Sequence, residues 1–346
     1  MSDINIRITG KAGRITLTRP KALNALSYDM CMAIDAALKD WVGNDAVELV
    51  VIDAIGDKAF CAGGDIAELY DTGTKGDYEY GRKFWRDEYR MNARIFEYPK
   101  PIVSFLQGFT MGGGVGIGCH GTQRIVGETS QISMPEVGIG LVPDVGGTLL
   151  LSLAPGRLGE YLGLTTTRMD ADDAIYAGFA DLFITQEQWP SLITSLENDG
   201  DIACLNAASS QPPEGKLRAR QASIDSHFAG ETLGDILTTL RGEDSEFSAA
   251  TLKSINRNSP LSMACTVEII HRLRNEFLTM RRALGMEYRF THRSMEKGDF
   301  LEGIRALIID KDRNPNWQFG DLNVPASATG QMLQPLRDQA LTFEEE

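Results

Sequence analysis

The sequence has few basic residues for its size, no long apolar run and no targeting pattern at its start. Lys and Arg number 34 against 48 Asp and Glu, which gives a formal net charge of −14 at pH 7. Nucleic-acid-binding proteins carry a basic surface, and a membrane-spanning helix needs about 20 consecutive apolar residues. The opening MSDINIRITG contains neither an apolar signal core nor an Arg-rich presequence. We therefore expect a cytoplasmic protein with no nucleic-acid or membrane partner.

Cysteine and histidine are also sparse, and neither forms a recognisable pair. The five cysteines are dispersed without a CxxC pair, and the four histidines make no HExxH spacing. An odd number of scattered cysteines in apolar segments is typical of reduced, buried thiols. Zinc sites need several Cys or His ligands at defined spacings. The sequence therefore predicts no disulfide framework and no metal site.

Strand and helix patterns alternate through the first part of the chain. Residues 4–17 alternate isoleucine or leucine with polar residues around a turn, which predicts a β-hairpin. Ser27 is placed to cap a helix, and the apolar runs 47–54 and 101–106 are typical of strands buried on both faces. Residues 71–77 predict an exposed loop. This alternation predicts an α/β fold with a mostly parallel sheet.

Composition suggests where the chain divides. Residues 1–208 are predicted to form the α/β core that carries the active site, and the polar, proline-containing segment 209–216 is predicted to be a linker. Residues 217–330 have helical periodicity, and residues 331–346 predict a loose tail.

Two glycine-rich turns are candidate binding elements. Gly112–Gly114 follow a predicted strand, and Gly63 and Gly64 stand at the end of another, just before a helical pattern. Glycine lets the backbone approach a ligand closely, and free N–H groups near a helix start favour negative charge. Both turns therefore predict donors for an oxyanion. Tight helix–sheet packing or a plain left-handed turn is the alternative.

Three acidic residues are candidate reactive groups. Glu136 follows Pro135 and Asp144 follows Pro143, both within apolar sequence, where an unpaired carboxylate is costly to bury. Helix capping is the alternative for each. Glu88 lies on a helical pattern among arginines, where a solvated charged face is the alternative.

Several motifs in fixed order extend these candidates to the whole chain. The sequence resembles the crotonase (enoyl-CoA hydratase/isomerase) superfamily and, within it, the 3-hydroxyisobutyryl-CoA hydrolase subfamily, over about residues 4–325. The motifs that carry the resemblance are AFCAGGDI, GFTMGGGVGIG and SMPEVGIGLVPDVGGT, together with RPKALNAL, WRDEY, SPLSM, GMEYR and FLEGIRALIIDKDRNPNW. It implies a crotonase-like spiral of ββα units with a helical C-terminal region that contributes to self-association.

The resemblance assigns roles to the candidate residues. The backbone N–H groups of Gly64 and Gly113 are implied to hold the carbonyl oxygen of a thioester, as an oxyanion hole does. Glu136 is implied to be the principal catalytic carboxylate and Asp144 its partner. Glu88 matches a further substrate-site acid.

Four other residues are implied to contact the coenzyme A part of the substrate. Ala62, Gly63 and Asp65 match positions along the pantetheine and adenine path, and Lys21 is implied to contact a phosphate. An exposed lysine before a helix is otherwise simply solvated. Coenzyme A would enter as part of the substrate, so no separate cofactor is expected.

The resemblance also distinguishes hydrolysis from hydration. Hydratases of this superfamily carry a glutamate where this chain has Gly116, and a glycine where it has Asp144. The sequence therefore predicts hydrolysis of a short branched 3-hydroxyacyl-CoA, foremost 3-hydroxyisobutyryl-CoA of valine catabolism, to the free acid and CoA. The alternatives are an enoyl-CoA hydratase or isomerase and a non-catalytic acyl-CoA-binding protein.

Overall fold

The structure, a computed structural model, describes residues 3–275 and 277–343. The strands are β1 Ile4–Thr9, β2 Ala12–Leu17, β3 Leu49–Ala54, β4 Ala59–Cys61, β5 Ile102–Leu106, β6 Phe109–Met111, β7 Gln123–Val126, β8 Gln131–Ser133 and β9 Leu182–Phe183. The helices are α1 Tyr28–Val42, α2 Ala67–Thr74, α3 Glu79–Phe96, α4 Gly113–Gly118, α5 Gly147–Leu153, α6 Leu158–Thr165, α7 Ala171–Tyr176, α8 Trp189–Asp199, α9 Ala203–Ala208, α10 Leu217–His227, α11 Leu233–Arg241, α12 Glu246–Ile255, α13 Pro260–Arg274, α14 Met280–Lys297, α15 Phe300–Ile304 and α16 Ala326–Leu333.

The chain forms two compact units that are interleaved along the sequence. The first unit comprises residues 1–65, 90–133 and 168–218, and the second comprises 66–89, 134–167 and 219–346. One unit boundary falls just after the predicted linker 209–216, and the other boundaries fall inside the predicted core. The domain boundaries predicted from the sequence therefore stay a prediction.

The first unit contains both sheets. The larger sheet has the order β1-β2-β3-β5-β7-β9, in which β1 and β2 are antiparallel and the remaining pairs are parallel. The smaller sheet, β4-β6-β8, is parallel throughout. The mostly parallel α/β arrangement predicted from the sequence is confirmed.

Local sequence explains the first elements of this unit. The predicted hairpin is β1 and β2, which pair from Ile4 with Leu17 to Thr9 with Ala12. Ser27 caps α1 by accepting a hydrogen bond from the Met30 N–H, a bond that replaces a missing intrahelical partner. The predicted buried strands are β3 and β5, in which the apolar residues are almost fully buried. These three predictions are confirmed.

The second unit consists mainly of helices. α13 contacts α5, α6, α14 and α16, and therefore lies at the centre of the packing. Helices α5 and α6 pack closely at Gly159 of α6, where an added Cβ would lie 1.9 Å from the Leu151 carbonyl oxygen of α5. Only glycine allows these two helices to pack at this distance.

The loop predicted at residues 71–77 is partly wrong, because α2 continues to Thr74. Gly73 is buried, and an added Cβ there would lie 2.6 Å from Met295 and 2.7 Å from Leu301. Packing against α14 and α15 therefore keeps Gly73 within helix α2, although the composition of residues 71–77 is typical of a turn. Tertiary contacts of this kind are not readable from local sequence.

The C-terminal segment is partly structured. Met332 and Leu333 are 2% and 1% exposed, and Arg293 donates hydrogen bonds to the carbonyl oxygens of Met332 and Gln334. The predicted tail 331–346 therefore begins within α16, while its last three residues lie outside the described part of the chain. In the described residues, no helix combines the length and apolar character that a membrane span requires.

Candidate functional site

Two glycine turns of the first unit leave neighbouring strands of the smaller sheet. β4 leads into Ala62, Gly63 and Gly64, and β6 leads into Gly112 and Gly113. β4 and β6 are parallel and paired, so their carboxyl ends lie at the same edge of the sheet. The structure therefore brings together the two turns that the sequence marked separately.

Close packing fixes the distance between these turns. An added Cβ at Gly114 would lie 2.2 Å from the carbonyl oxygen of Cys61, and one at Gly63 would lie 3.7 Å from that of Met111. Gly64 differs, because an added Cβ there would have no neighbour within 4 Å. The backbone at Gly64 therefore borders open space, as a ligand-binding position requires.

The backbone at each turn is held in one conformation. Gly112 has a φ of 49° and precedes α4, whose first N–H groups, starting with that of Gly113, have no acceptor within the helix. Around Gly64, the Asp65 N–H donates to the Leu26 carbonyl at 2.9 Å, and the Gly63 carbonyl accepts from the Leu26 N–H at 2.9 Å. Both turns can therefore present N–H donors without further rearrangement.

The other residues implied to contact coenzyme A also lie in the first unit. Ala62 is half-buried, and its N–H donates to the Leu23 carbonyl at 3.1 Å. Asp65 forms an ion pair with Arg19 at 3.1 Å, so its carboxylate already has a cationic partner. Lys21 lies in the short 3-10 helix Pro20–Ala22 and is exposed. These positions are compatible with the implied contacts, which stay predictions.

The second unit gathers the three candidate acids. Glu88 lies on α3, Glu136 is the first residue of the 3-10 helix Glu136–Ile139, and Asp144 lies in the turn before α5. Their exposures are 3%, 4% and 5%, respectively. Glu88 is therefore not part of a solvated charged face, which was the alternative on sequence grounds.

Burial raises the proton affinity of all three acids, and the charge of Asp144 adds to the rise at Glu88 and Glu136. Burial raises the pKa of Glu136 well above its ordinary value, and the charge of Asp144 raises it further. The pKa of Glu88 rises for the same two reasons. Burial also raises the pKa of Asp144 to about 7, although a hydrogen bond from Tyr89 opposes the shift. Buried carboxylates that repel one another are typical of sites for proton transfer.

Asp144 does not cap a helix. The cap of α5 is Gly146, and no side chain supplies a capping bond there. The Asp144 carboxylate instead accepts a hydrogen bond from the Tyr89 hydroxyl, with 2.7 Å between Oη and Oδ2. The capping alternative for Asp144 is therefore wrong.

Glu136 carries an oxygen without a partner. Its Oε2 is buried and has no hydrogen-bond partner among the described residues. Leaving such an atom unsatisfied is costly, so it marks a place where a ligand or water would be stabilised. The same carboxylate has a strongly raised pKa, so in its ionised form it is a stronger base than an exposed glutamate.

A fourth buried acid, Glu287 on α14, contacts the same turn as Asp144. Its carboxylate accepts hydrogen bonds from the Gly146 N–H at 2.9 Å, the Thr148 N–H at 3.0 Å and the Thr148 hydroxyl. Burial raises the pKa of Glu287 to about 8, against these hydrogen bonds, and the charge of Asp144 adds to the rise. Sequence reasoning missed both Tyr89 and Glu287 as site residues.

A cavity elsewhere in the second unit contains none of the predicted site residues. It has a volume of about 480 Å³ and is lined by Gly156, Arg157, Asp225, Glu231, His271, Arg274 and Asn275. In the described part of the chain, no group of three or more His, Cys, Asp or Glu side chains is arranged to hold a metal ion. The expectation that no cofactor is bound stays a prediction.

Comparison with known proteins places this geometry in a family. A family profile described as enoyl-CoA hydratase/isomerase matches residues 12–332. The chain belongs to the enoyl-CoA hydratase/isomerase family. The resemblance on which the sequence-based site assignments rest is therefore confirmed.

Relatives within this family cover almost the whole chain. The chain is 39% identical over 319 residues to a protein of Xenopus tropicalis named 3-hydroxyisobutyryl-CoA hydrolase, mitochondrial, covering 89% of this chain and 82% of the relative. The human protein of the same name is 36% identical over 331 residues, with 92% and 85% covered. The predicted cytoplasmic location stays a prediction, since these relatives are named as mitochondrial.

Solved structures of the family share the fold. An enoyl-CoA hydratase from Rhodobacter sphaeroides 2.4.1 is 57% identical, with a TM-score of 0.95 over 99% of this chain and 100% of its own. A carnitinyl-CoA dehydratase from Mycobacterium thermoresistibile is 37% identical, with a TM-score of 0.94 over the full length of both chains. The crotonase-like fold with a helical C-terminal region, expected from the resemblance, is confirmed.

The residues that sequence reasoning missed were present in family motifs. Tyr89 closes the motif WRDEY, and Glu287 lies in GMEYR. Neither spacing nor periodicity marks them, because their partners are 55 and 141 residues away along the chain. An acid near the middle of a helical pattern, among mostly apolar residues at the same helical spacing, was the one available signal for Glu287.

Proposed function

We propose that this chain hydrolyses a short branched 3-hydroxyacyl-CoA thioester, foremost 3-hydroxyisobutyryl-CoA, to the free hydroxy acid and CoA. The observation that carries the proposal is the group of buried acids Glu88, Glu136 and Asp144, with an unpartnered oxygen on Glu136. Relatives named 3-hydroxyisobutyryl-CoA hydrolase, 36–39% identical over most of the chain, support this substrate.

The proposed reaction adds water across the thioester carbonyl and breaks the C–S bond. Ionised Glu136 either takes a proton from water or attacks the carbonyl itself to form a mixed anhydride that water then cleaves. The sulfur leaves as thiolate and accepts a proton. Its raised pKa makes Glu136 a stronger base than an exposed glutamate, so the rate should rise as Glu136 ionises.

The remaining groups are assigned roles that complement this step. The N–H groups of Gly64 and Gly113 stabilise the negative charge on the carbonyl oxygen, an effect typically worth about 3 kcal/mol per donor. Asp144, held by Tyr89, orients water or the substrate hydroxyl and raises the pKa of Glu136. Glu88 is assigned to substrate contact.

Hydration of an enoyl-CoA is the second candidate, because the 57% identical structure is named an enoyl-CoA hydratase. The hydratases of the family place water with a pair of glutamates, according to the resemblance, and one of these positions is Gly116 here. A glycine cannot hold water by a carboxylate, so we favour hydrolysis over hydration. The two reactions have different products and can be distinguished directly.

A panel of CoA thioesters tests the proposal. Free thiol is followed with a thiol reagent, while loss of a conjugated enoyl thioester is followed in the ultraviolet. Hydrolysis releases thiol from 3-hydroxyisobutyryl-CoA, and Glu136→Gln and Asp144→Asn should each lower that rate by at least about a hundredfold. Loss of ultraviolet absorbance without thiol would instead establish hydration.

Labelled water separates the two routes of hydrolysis. Under single turnover, an anhydride that water cleaves at the Glu136 carbonyl leaves heavy oxygen in the protein, which mass spectrometry of the peptide containing Glu136 detects. Direct attack by water on the thioester, or cleavage of the anhydride at its acyl carbonyl, places the label only in the product acid. A labelled peptide would therefore establish the anhydride, and an unlabelled peptide would count against it.

We also propose that the chain self-associates, as family membership implies. Sedimentation of the purified protein tests this directly. A species larger than the 38.0 kDa chain is expected, and a single species of that mass at micromolar concentration would refute the proposal.

A further inference from the structure

We propose that Glu287 is a positioning residue, which fixes the turn that carries Asp144 and thereby sets the place of the Asp144 carboxylate. The inference deepens the proposed function and rests on it, because it assigns Glu287 to the same hydrolytic site. Glu287 lies on α14 and is fully buried. It contacts the protein turn rather than the reacting atoms.

The backbone of this turn is strained. Val145 has a φ of 52° and the next residue, Gly146, has a φ of 81°. A left-handed conformation is a rare one for a β-branched residue and costs free energy. Backbone N–H groups exposed by a turn can bind an anion. A strained backbone persists only where its surroundings hold it, and here Glu287 contributes together with the Gly147 N–H, which donates to the Asp144 carbonyl at 2.6 Å.

Glu287 satisfies the donors that the strained turn exposes. Its Oε2 accepts from the Gly146 N–H, and its Oε1 accepts from both the N–H and the hydroxyl of Thr148. These donors lie two and four residues after Asp144. Tyr89 holds the carboxylate itself at 2.7 Å. Asp144 is therefore fixed both through its side chain and through its backbone.

The charge of Glu287 also acts on the catalytic pair. It raises the pKa of Glu136 in addition to burial and the charge of Asp144, and it raises the pKa of Tyr89. The titratable groups that interact with Glu287 or with Asp144 are Glu88 and Tyr89 from α3, Glu136 from its 3-10 helix and Asp144 itself from the turn. Glu287 acts through its charge only when it is ionised, and its own pKa is about 8. Removing the charge while keeping the shape should therefore lower the pKa of Glu136 in the pH range where Glu287 is ionised.

Two variants of Glu287 separate the effect of its charge from the effect of its side-chain length. Glu287→Gln loses the charge and places an amide N–H₂ against an N–H donor. It should lower kcat about a hundredfold with KM changed less than about threefold, and move the acidic limb of the kcat profile to lower pH. Glu287→Asp keeps the charge but is shorter by one methylene group. Glu287→Asp should lower kcat without shifting the acidic limb of the kcat profile along the pH axis.

Amide hydrogen exchange supplies a readout that needs no substrate. In Glu287→Gln, the amides of Gly146 and Thr148 should exchange at least about tenfold faster than in the wild type, because their acceptor is weakened. Glu296→Gln is the matched control, since Glu296 lies on the same helix with a 41% exposed side chain paired to Arg82. It should change neither exchange nor kinetics.

The outcomes distinguish this inference from the proposed function. A wild-type chain that cleaves no CoA thioester refutes the function, and with it the role of Glu287 in hydrolysis, whatever the exchange rates are. Active wild type with unchanged exchange at Gly146 and Thr148, or with an unmoved acidic limb in Glu287→Gln, refutes the inference alone. Should Glu287→Gln fail to fold, Thr148→Val removes one donor to Glu287 and should still accelerate exchange at Gly146.

Discussion

Buried carboxylates of two kinds occur in this protein, and their partners distinguish them. Glu160 on α6 is fully buried, and its Oε1 accepts from Arg157, His271 and Arg274. Burial alone would raise the pKa of Glu160, but the hydrogen bond from His271 and the arginine charges outweigh it and leave it lowered. Glu136 has no cationic partner in the described residues and a raised pKa. The cationic partners of Glu160 therefore account for the opposite direction of its pKa shift.

Asp144 should make the protein less stable as the pH rises. Its pKa is about 7 in the folded state against an ordinary 3.8, so its contribution is fully present below pH 4 and is lost as the pH rises through 7. Chemical denaturation gives the free energy of unfolding at pH 5 and at pH 8. Its decrease between these two pH values should be about 3 kcal/mol smaller in Asp144→Asn than in the wild type. The exposed substitution Asp71→Asn should leave it unchanged, and equal losses in all three proteins would contradict the assignment.

Glu160→Gln should destabilise the protein strongly. Removing the charge leaves three buried or half-buried donors without their anion, which typically costs about 3 kcal/mol or more. Urea denaturation at pH 7 measures this difference. Glu268→Gln removes a carboxylate that is 39% exposed and paired to Arg272, and should cost less than about 1 kcal/mol. Similar values for the two variants would show that the Glu160 cluster is not a buried ion network.

Among the secondary-structure elements, each glycine turn lies between a strand and the helix that follows it along the chain. The paired strands β4 and β6 carry both turns to one edge of the smaller sheet. Glycine is required at Gly114 for packing against Cys61, whereas at Gly64 an added Cβ would meet no atom within 4 Å. Tight packing, which was the alternative explanation for these glycines, therefore accounts for Gly114 but not for Gly64.

Two alanine substitutions test this difference. Gly64→Ala meets no neighbour within 4 Å, so stability should be unchanged or higher by about 0.5 kcal/mol, while kcat/KM for the thioester falls at least about tenfold. Gly114→Ala places a Cβ 2.2 Å from the Cys61 carbonyl oxygen and should cost about 3 kcal/mol of stability. Thermal unfolding and thiol release measure both effects. Full activity in Gly64→Ala would remove the oxyanion role from this turn.

Elements with strong local patterns could be predicted from the sequence, and those fixed by distant contacts could not. The hairpin β1–β2, the capped helix α1 and the apolar strands β3 and β5 follow from alternation, Ser27 and continuous apolar runs. The end of α2 depends on packing of Gly73 against α14 and α15. The site residues Tyr89 and Glu287 likewise depend on partners far along the chain, which no local rule can supply.

At the scale of the whole molecule, the two units have different contents. The first contains both sheets and the glycine turns, and the second contains the buried acids and most of the helices. Because the units are interleaved, residues 66–89 and 134–167 carry Glu88, Glu136 and Asp144 into the helical unit from the first half of the chain. Sequence order alone assigned these acids to a contiguous core, since composition reports neighbours along the chain rather than in space.

Hydrolysis at Glu136 is tested by thiol release from 3-hydroxyisobutyryl-CoA in the wild type and in Glu136→Gln, with an enoyl-CoA followed in parallel in the ultraviolet. We expect release by the wild type, a loss of at least about a hundredfold in the variant, and little consumption of the enoyl-CoA. Consumption of the enoyl-CoA without thiol release would refute hydrolysis, and equal release by both proteins would refute the role of Glu136.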